Sequence, residues 1–394
     1  MKEHRTNNFI ICCIICALIV LIPLTGVVAD ATIRADQDVD TTIDSVVDSV
    51  VDSVGDSVID STNDVNTGSN GDDVDGGDGN IEVINYLIGK TLSLQKGLEM
   101  VFYFDADLLN GKSNLTLEVV KPIFGSDGTQ IGEENESITD YVETKIAGKN
   151  ALRFVYNGFN ANEFATDVIF GLCSNGEVLA STSYSVKTYA TTQIAKPNCP
   201  AKLRTLLVDM LNYGAAAQTY FGYNTANLAN ADLTAEQKAW ATQEVAEIES
   251  IHKVIEGSDG IVDLGGSSLS LVNTIVAHLY FYINGCDQND LYAVIEYTDY
   301  VDGATTKVID GSDFTYLLNN KYSIQFGEYA AMQMGDSFTV KFFDKATDAQ
   351  VGDSMTYSIH SNLANLLSGQ VSEELRAVIE AMIKYGESSK AYFA

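Results

Sequence analysis

The chain contains 394 residues, with 54 acidic and 23 basic side chains and a formal net charge of −31. Hydrophobic residues make up 46% of it, which excludes a wholly disordered protein and suffices for about two or three packed domains. The negative charge argues against nucleic acid or an anionic membrane surface as a partner, because both would repel it. The composition therefore indicates an acidic, mostly globular protein.

The first 29 residues predict an export signal. Lys2 and Arg5 precede a nearly continuous apolar run over 9–28, and small residues follow at a plausible cleavage point. The run is long enough to span a bilayer, so an uncleaved signal anchor over 1–29 is the alternative. In either case we expect an extracellular or cell-surface protein, with membrane contact only through an uncleaved N-terminal segment.

Residues 30–80 predict an acidic, disordered linker. This segment is rich in aspartate and lacks aromatic residues, and in its middle an aspartate recurs every four residues. Like charges one helical turn apart repel each other, which favours an extended, solvated chain. Asp72, Asp75 and Asp78 stand among glycines and could bind calcium, the one cofactor that the sequence suggests. The pattern lacks the bidentate glutamate of a complete calcium loop, so a solvated linker is the alternative.

Beyond residue 81 the chain repeats itself. Leu203–Phe221 aligns without gaps on Leu375–Phe393 at a constant offset of 172 residues. Upstream, Tyr184-Ser-Val in the first copy matches Tyr357-Ser-Ile in the second. The alignment predicts two copies of one module and a connection between them: 81–232, 233–255 and 256–394.

Each copy begins with short runs rich in Val, Ile, Phe and Tyr, which predict strands. In the first copy these runs are Glu99–Phe104, Leu115–Val120, Ala151–Tyr156 and Asp167–Cys173. In the second they are Ala277–Ile283, Leu291–Thr298, Phe314–Leu318, Lys321–Phe326 and Ser337–Phe343. Asn175-Gly176 and Asn319-Asn320 predict tight turns, since these residues accept a positive φ. Antiparallel strands at this spacing favour a small sandwich.

Each copy ends in helix. In the first copy, one apolar stripe recurs at helical spacing through Leu203, Leu207, Met210, Gly214, Ala217 and Phe221. Gly214 would let the helix backbone approach the sheet closely, and Gly386 repeats it in the second copy. Shorter helices are expected near Lys187–Ala195 and Ser361–Leu367. The predicted fold is mainly β with α: two tandem antiparallel β-sandwich-like modules, each ending in a docked C-terminal helical segment.

The helical stretch carries a resemblance to a known kind of module. The sequence from Leu206 to Thr225, Leu-Leu-Val-Asp-Met-Leu-Asn-Tyr-Gly-Ala-Ala-Ala-Gln-Thr-Tyr-Phe-Gly-Tyr-Asn-Thr, resembles a duplicated extracellular module of exported, multi-modular surface proteins from Gram-positive gut anaerobes. The resemblance is specific over Tyr184–Asn230 and weaker elsewhere. The second copy departs from it, with Lys384-Tyr-Gly-Glu and without the Gly-Tyr-Asn-Thr extension. The resemblance implies a surface location and a non-catalytic role, and it carries over no catalytic residue.

Motifs for catalysis are missing from the sequence. His252, His278 and His360 are scattered, and their spacing fits no common metal site. The sequence contains no nucleophile elbow, phosphate loop or Cys-x-x-Cys pair. Acidic residues are so abundant that spacing alone selects no carboxylate pair for glycoside cleavage.

Three cysteines follow the export signal, and two arrangements of them are open. Cys173 and Cys199 could form a disulfide that leaves Cys286 free, or all three could be unpaired thiols.

These patterns favour a secreted or cell-surface, non-catalytic binding or adhesion protein with a glycan or protein ligand. A structural spacer of the cell surface and a secreted polysaccharide or cell-wall hydrolase are the alternatives. Examples of candidate contact residues are two tyrosine pairs, Tyr280 with Tyr282 and Tyr292 with Tyr297, and the loop Phe159–Phe164. A structural role for these tyrosines, in the core or on the sheet surface, is the alternative.

Overall fold

The computed structural model describes residues 20–21, 85–94, 97–245, 248, 253–270, 275–299 and 303–394. The candidate calcium ligands Asp72, Asp75 and Asp78 lie outside the described residues, as does the rest of the predicted linker. A two-residue strand, β1 (Val20–Leu21), is the described part of the predicted export signal. Within the described ranges, no helix is both long and apolar enough to cross a membrane.

The first half consists of two four-stranded antiparallel sheets followed by helices. Its strands are β2 (Leu87–Ser93), β3 (Glu99–Asp105), β4 (Leu115–Phe124), β5 (Gln130–Ile138), β6 (Val142–Ile146), β7 (Lys149–Tyr156), β8 (Val168–Ser174) and β9 (Glu177–Tyr184). The sheet orders are β2-β3-β7-β6 and β5-β4-β8-β9. The helices are α1 (Val186–Ile194), α2 (Ala201–Phe221) and the short α3 (Ala235–Lys238), with a 3₁₀ turn at Ala161–Glu163.

The second half repeats this arrangement. Its strands are β10 (Lys253–Ile255), β11 (Val262–Ser270), β12 (Ile275–Ile283), β13 (Leu291–Asp299), β14 (Gly303–Asp310), β15 (Thr315–Leu318), β16 (Lys321–Tyr329), β17 (Phe338–Asp344) and β18 (Gln350–Tyr357). The sheet orders are β1-β11-β12-β16-β15 and β10-β18-β17-β13-β14. The helices are α4 (Ile359–Ser368) and α5 (Glu373–Phe393), with 3₁₀ turns at Gln288–Asp290, Gly311–Asp313 and Ala331–Gln333.

The predicted fold class is confirmed: the protein is mainly β, with two sandwich-like halves that are each followed by helices. The two predicted turns also form, with positive φ at Asn175 and Gly176 (51° and 84°) and at Asn319 and Asn320 (51° and 57°). Strands that the sequence did not single out include β5, which lies at a sheet edge. Its residues are mostly exposed and several are glutamates, so it lacks the apolar run that marks a buried strand.

The two long helices dock through their central glycines. A Cβ added to Gly214 would lie 2.7 Å from Cδ2 of Phe164 and 3.2 Å from the Ala161 carbonyl oxygen. In the second half, a Cβ on Gly386 would lie 3.1 Å from the Ala331 carbonyl oxygen. The neighbour of Gly214 is therefore the 3₁₀ turn between β7 and β8, and the prediction of a sheet at this point is wrong. Only a helix without a side chain there can come this close.

The same two helices join the halves. The rings of Tyr213 in α2 and Tyr385 in α5, equivalent positions of the repeat, stack with centroids 5.9 Å apart and an interplanar angle of 17°. Beside them, the buried carboxylate of Asp209 accepts hydrogen bonds from the amide and the hydroxyl of Thr242 at 3.0 and 2.6 Å. Ser388 of α5 lies close to it and donates its hydroxyl to the Tyr385 carbonyl oxygen at 3.2 Å. Burial raises the pKa of Asp209, and the hydrogen bonds from Thr242 oppose that shift.

Replacing Gly214 by Leu should destabilise the fold by about 1–3 kcal/mol or more, because the added side chain must displace Phe164 or the Ala161 backbone. Chemical denaturation of the variant and the wild type measures the difference. Gly89→Leu is the matched control, since a Cβ at Gly89 meets no atom within 4 Å. An unchanged unfolding free energy for Gly214→Leu would show that α2 docks through another side.

Candidate functional site

The registers of the two halves identify equivalent positions on one sheet of each. In the first half, a bulge in β2 interrupts pairing with β3 between Leu87 and Gly89, so Ile88 is the bulged residue. In the second half, the bulge lies between Leu264 and Gly266, and Gly265 is the bulged residue. Cross-strand pairs then match along the sheet, and the pair Asp105 and Ala151 corresponds to the pair Tyr282 and Lys321.

The outward face of this sheet is closed in the first half. Val101 and Tyr103 of β3 and Ala151 of β7 form a small apolar cluster apart from the main core, and Ile88 and Ile146 pack against it. Val101 and Ala151 are each only 1% exposed, and Tyr103 is 6% exposed. The face therefore offers little apolar or aromatic surface to a ligand.

The equivalent face of the second half has a different chemistry. His278 stands where the first half has Val101, and Lys321 stands where it has Ala151. Gly265 replaces Ile88, and Tyr282 replaces Asp105. Buried and half-buried residues alternate along β12, so His278, Tyr280 and Tyr282 point away from the core. We call the outward residues Ser268, His278, Tyr280, Tyr282, Lys321 and Gln325 the tyrosine face.

Two local contacts fix the orientation of the tyrosine rings. A Cβ on Gly265 would lie 2.8 Å from Cε2 and 3.3 Å from Cδ2 of Tyr282, so this ring lies against the backbone of the glycine. The hydroxyls of Tyr280 and of the buried Ser268 are 2.9 Å apart and form a hydrogen bond. The Nζ of Lys321 lies 4.9 Å from the ring centroid of Tyr280 and 5.9 Å from that of Tyr282. The result is a partly buried pair of rings with the Lys321 ammonium close to both.

His278 adds an imidazole to the same outward row of β12 side chains as Tyr280 and Tyr282. Burial lowers the pKa of His278, because the charged form loses hydration that the neutral form does not need. The side chain is therefore a neutral hydrogen-bonding group at neutral pH.

The structure separates the remaining candidates. Tyr292 points outward on the second sheet of the same half, where its ring stacks on Phe343 at 5.2 Å and its hydroxyl bonds to Asp348. Tyr297 packs against the core, with its ring centroid 4.8 Å from that of Phe326. The predicted pairing of Tyr292 with Tyr297 is therefore wrong, since these side chains lie on opposite faces of β13.

The candidate loop Phe159–Phe164 is a structural element. Phe159 is 3% and Phe164 is 4% exposed, and Phe164 packs against Gly214 and the ring of Tyr213. Its two phenylalanines therefore fill the space between sheet and helix, and a ligand contact through the partly exposed residues between them stays a prediction.

A shallow cleft of about 270 Å³ lies where the two halves meet. Asn212 of α2 and Asn230 line it and bond to each other at 2.9 Å, and Glu374 of α5 lies at its other side. Alanines supply much of the remaining wall, so the cleft offers fewer ligand contacts than the tyrosine face.

Among the described residues, no group of three or more His, Cys, Asp or Glu side chains could hold a metal ion. Cys173 and Cys199 are buried and Cys286 is exposed, and all three are free thiols, which is the unpaired alternative. No protein-family model matches the chain, and no curated protein matches it in sequence. The tyrosine face is therefore assigned from its geometry alone.

His278 should make stability depend on pH. Its pKa is lower in the folded than in the unfolded state, so the unfolded chain binds more protons as the pH falls below about 6.5. Stability should decrease from about pH 7 downwards until the pH passes the folded-state pKa. His278→Val, which introduces the residue of the first half, should reduce the fall in melting temperature between about pH 7.5 and pH 5.

Thr298→Val on the other sheet changes no titrating group and should leave this pH dependence unchanged. A fall in melting temperature of the same size in wild type and His278→Val would contradict the assignment. Burial also lowers the pKa of His360, so His360 makes stability fall with pH in the same direction. Only the difference between the wild type and His278→Val isolates the effect of His278.

Proposed function

We propose that the chain is a secreted or cell-surface, non-catalytic binding and adhesion protein whose ligand contacts the tyrosine face. The observation that carries the proposal is the divergence between two otherwise equivalent sheets. Both halves keep the bulge and the strand order, yet where the first has a closed apolar cluster that includes Tyr103, the second has two partly buried tyrosines, an imidazole and an ammonium group.

The divergence favours binding because the core does not require it. Replacing a packed apolar cluster by polar and aromatic side chains gives up buried apolar area, which the stability of the sheet does not require. Exposed aromatic side chains with polar neighbours are characteristic of contact surfaces, since each ring supplies a large rigid area with little loss of conformational entropy. The predicted export signal and the resemblance of Leu206–Thr225 to modules of surface proteins support an extracellular location.

The test is binding of the full chain to arrays of glycans and extracellular proteins. We expect saturable hits that Tyr280→Ala/Tyr282→Ala weakens by at least about tenfold, because each ring contributes on the order of 1 kcal/mol beyond its buried area. Tyr292→Ala is the control, since it removes the same side chain from the outward face of the other sheet. All variants should retain the wild-type melting temperature to within a few degrees.

Two results would overturn the proposal. Hits that survive the double substitution would place the ligand elsewhere. An absence of hits would favour the structural spacer, which the fixed pairing of α2 and α5 also suits. Repeating the arrays with a calcium chelator tests the separate prediction for Asp72, Asp75 and Asp78.

A further inference from the structure

We infer that the tyrosine face binds an extended neutral glycan, of the β-1,4-linked pyranose type, along strand β12. This inference rests on the proposed function and specifies its ligand. Tyr280 and Tyr282 are two residues apart on one strand, which separates their Cα atoms by about 6.8 Å. The strand therefore presents a straight row of ring sites at intervals close to the size of a sugar ring.

The orientation of Tyr282 favours a pyranose ring over a peptide. The Cδ2–Cε2 edge of the ring lies against the backbone of Gly265, and the Lys321 ammonium lies 5.9 Å from its centroid, so the ring is held in one orientation as a platform on the outward side of the sheet. The C–H face of a pyranose is flat and apolar and can stack on such a platform. Proline-rich peptides instead dock into grooves between aromatic side chains, and extended peptides pair with sheet edges. The middle of a sheet face offers neither arrangement.

The polar neighbours suit hydroxyl groups. Lys321 brings three N–H donors within reach of both rings, and the amide of Gln325 and the imidazole of His278 can each donate or accept. Such mixed donors and acceptors at the rim of a stacked ring match the hydroxyls around a sugar. The net charge of −31 disfavours a polyanionic glycan, so we expect a neutral one.

An extended chain fits better than a curved one. Successive rings of a β-1,4-linked chain follow a nearly straight line, and the row His278, Tyr280 and Tyr282 is straight because residues at every second position of a strand line one face. Chains that coil would lift off the row after one ring and could use only one tyrosine.

The experiment is calorimetric titration of the full chain with cello- and chito-oligosaccharides of one to six units. Affinity should rise at least about tenfold between one and three units and then level off. Tyr280→Ala and Tyr282→Ala should each lower the affinity for the trimer severalfold and remove its advantage over the monomer. Polygalacturonate, a coiled α-glucan and a proline-rich peptide provide the acidic, curved and peptide comparisons.

Gly265→Ala tests the platform without removing either tyrosine. Its methyl group would lie 2.8 Å from the ring of Tyr282, which must tilt away. The variant should lose as much affinity for the trimer as Tyr282→Ala does, at an unchanged melting temperature. Gly89→Ala is the matched control, because the added methyl at this site in β2 meets open space.

The outcomes separate the two proposals. If no β-1,4-linked oligosaccharide binds but another ligand still requires Tyr280 and Tyr282, the glycan inference fails and the binding function stands. If no ligand depends on these tyrosines, both fail. Equal affinity for the monomer and the hexamer would also contradict an extended chain along β12.

Discussion

The close pairing of α2 with α5 is the constraint on which the rest of the structure depends. Gly214 lets α2 sink onto the turn at Ala161–Glu163, and Gly386 does the same for α5 in the second half. The helices then meet through Tyr213 and Tyr385, so equivalent residues of the repeat face each other, as in the interface of a symmetric dimer. The duplicated halves are joined by the same surfaces that stabilise each of them.

Asp209 adds hydrogen bonds beside this aromatic contact. Its carboxylate accepts two hydrogen bonds from Thr242 of the connection and lies close to Ser388 of α5, so three segments of the chain meet at this buried group. A buried carboxylate is costly unless its hydrogen bonds are made, which favours the one arrangement of the helices that satisfies them.

The core and the contact between α2 and α5 are similar in both halves, but other equivalent positions of the repeat carry different residues. In the first half the buried Lys121 pairs with Glu163 at 3.0 Å, and in the second half Tyr297 packs on Phe326 at the matching position. A buried ion pair and a well-packed apolar pair can have similar net stability, so both satisfy the same scaffold. The outward sheet faces differ more: the first half has a packed apolar cluster there, and the second half has tyrosine, histidine and lysine side chains.

Much of this fold could be predicted from the sequence because its determinants are local or repeated. The stripe from Leu203 to Phe221 has helical spacing, and the repeat at Leu375–Phe393 shows it twice. Edge strands such as β5 were beyond prediction, since their pairing partners, and not their own apolar pattern, hold them in place. The element that packs against Gly214 could not be predicted either, because a glycine in a helix indicates a close contact but not which segment makes it.

The candidate site was predictable only in part. The sequence identifies Tyr280 and Tyr282 as a pair, since two tyrosines alternate with apolar residues on one strand. It does not reveal that Gly265 and Lys321 lie on the same face, because strand register places them there. It also does not reveal that Tyr297 points into the core while Tyr292 points outward. Register depends on the whole sheet, and a glycine that makes room for a ring looks like any other glycine in a strand.

The most direct test replaces the outward residues of the second half by their equivalents from the first half. The variant Gly265→Ile/His278→Val/Tyr282→Asp/Lys321→Ala restores the residues found at Ile88, Val101, Asp105 and Ala151 and keeps Tyr280, the counterpart of Tyr103. The measurement is its affinity for the ligands that bind the wild type, at a temperature where both are folded. Our account predicts a stable protein that has lost binding. Undiminished binding by the folded variant would contradict it.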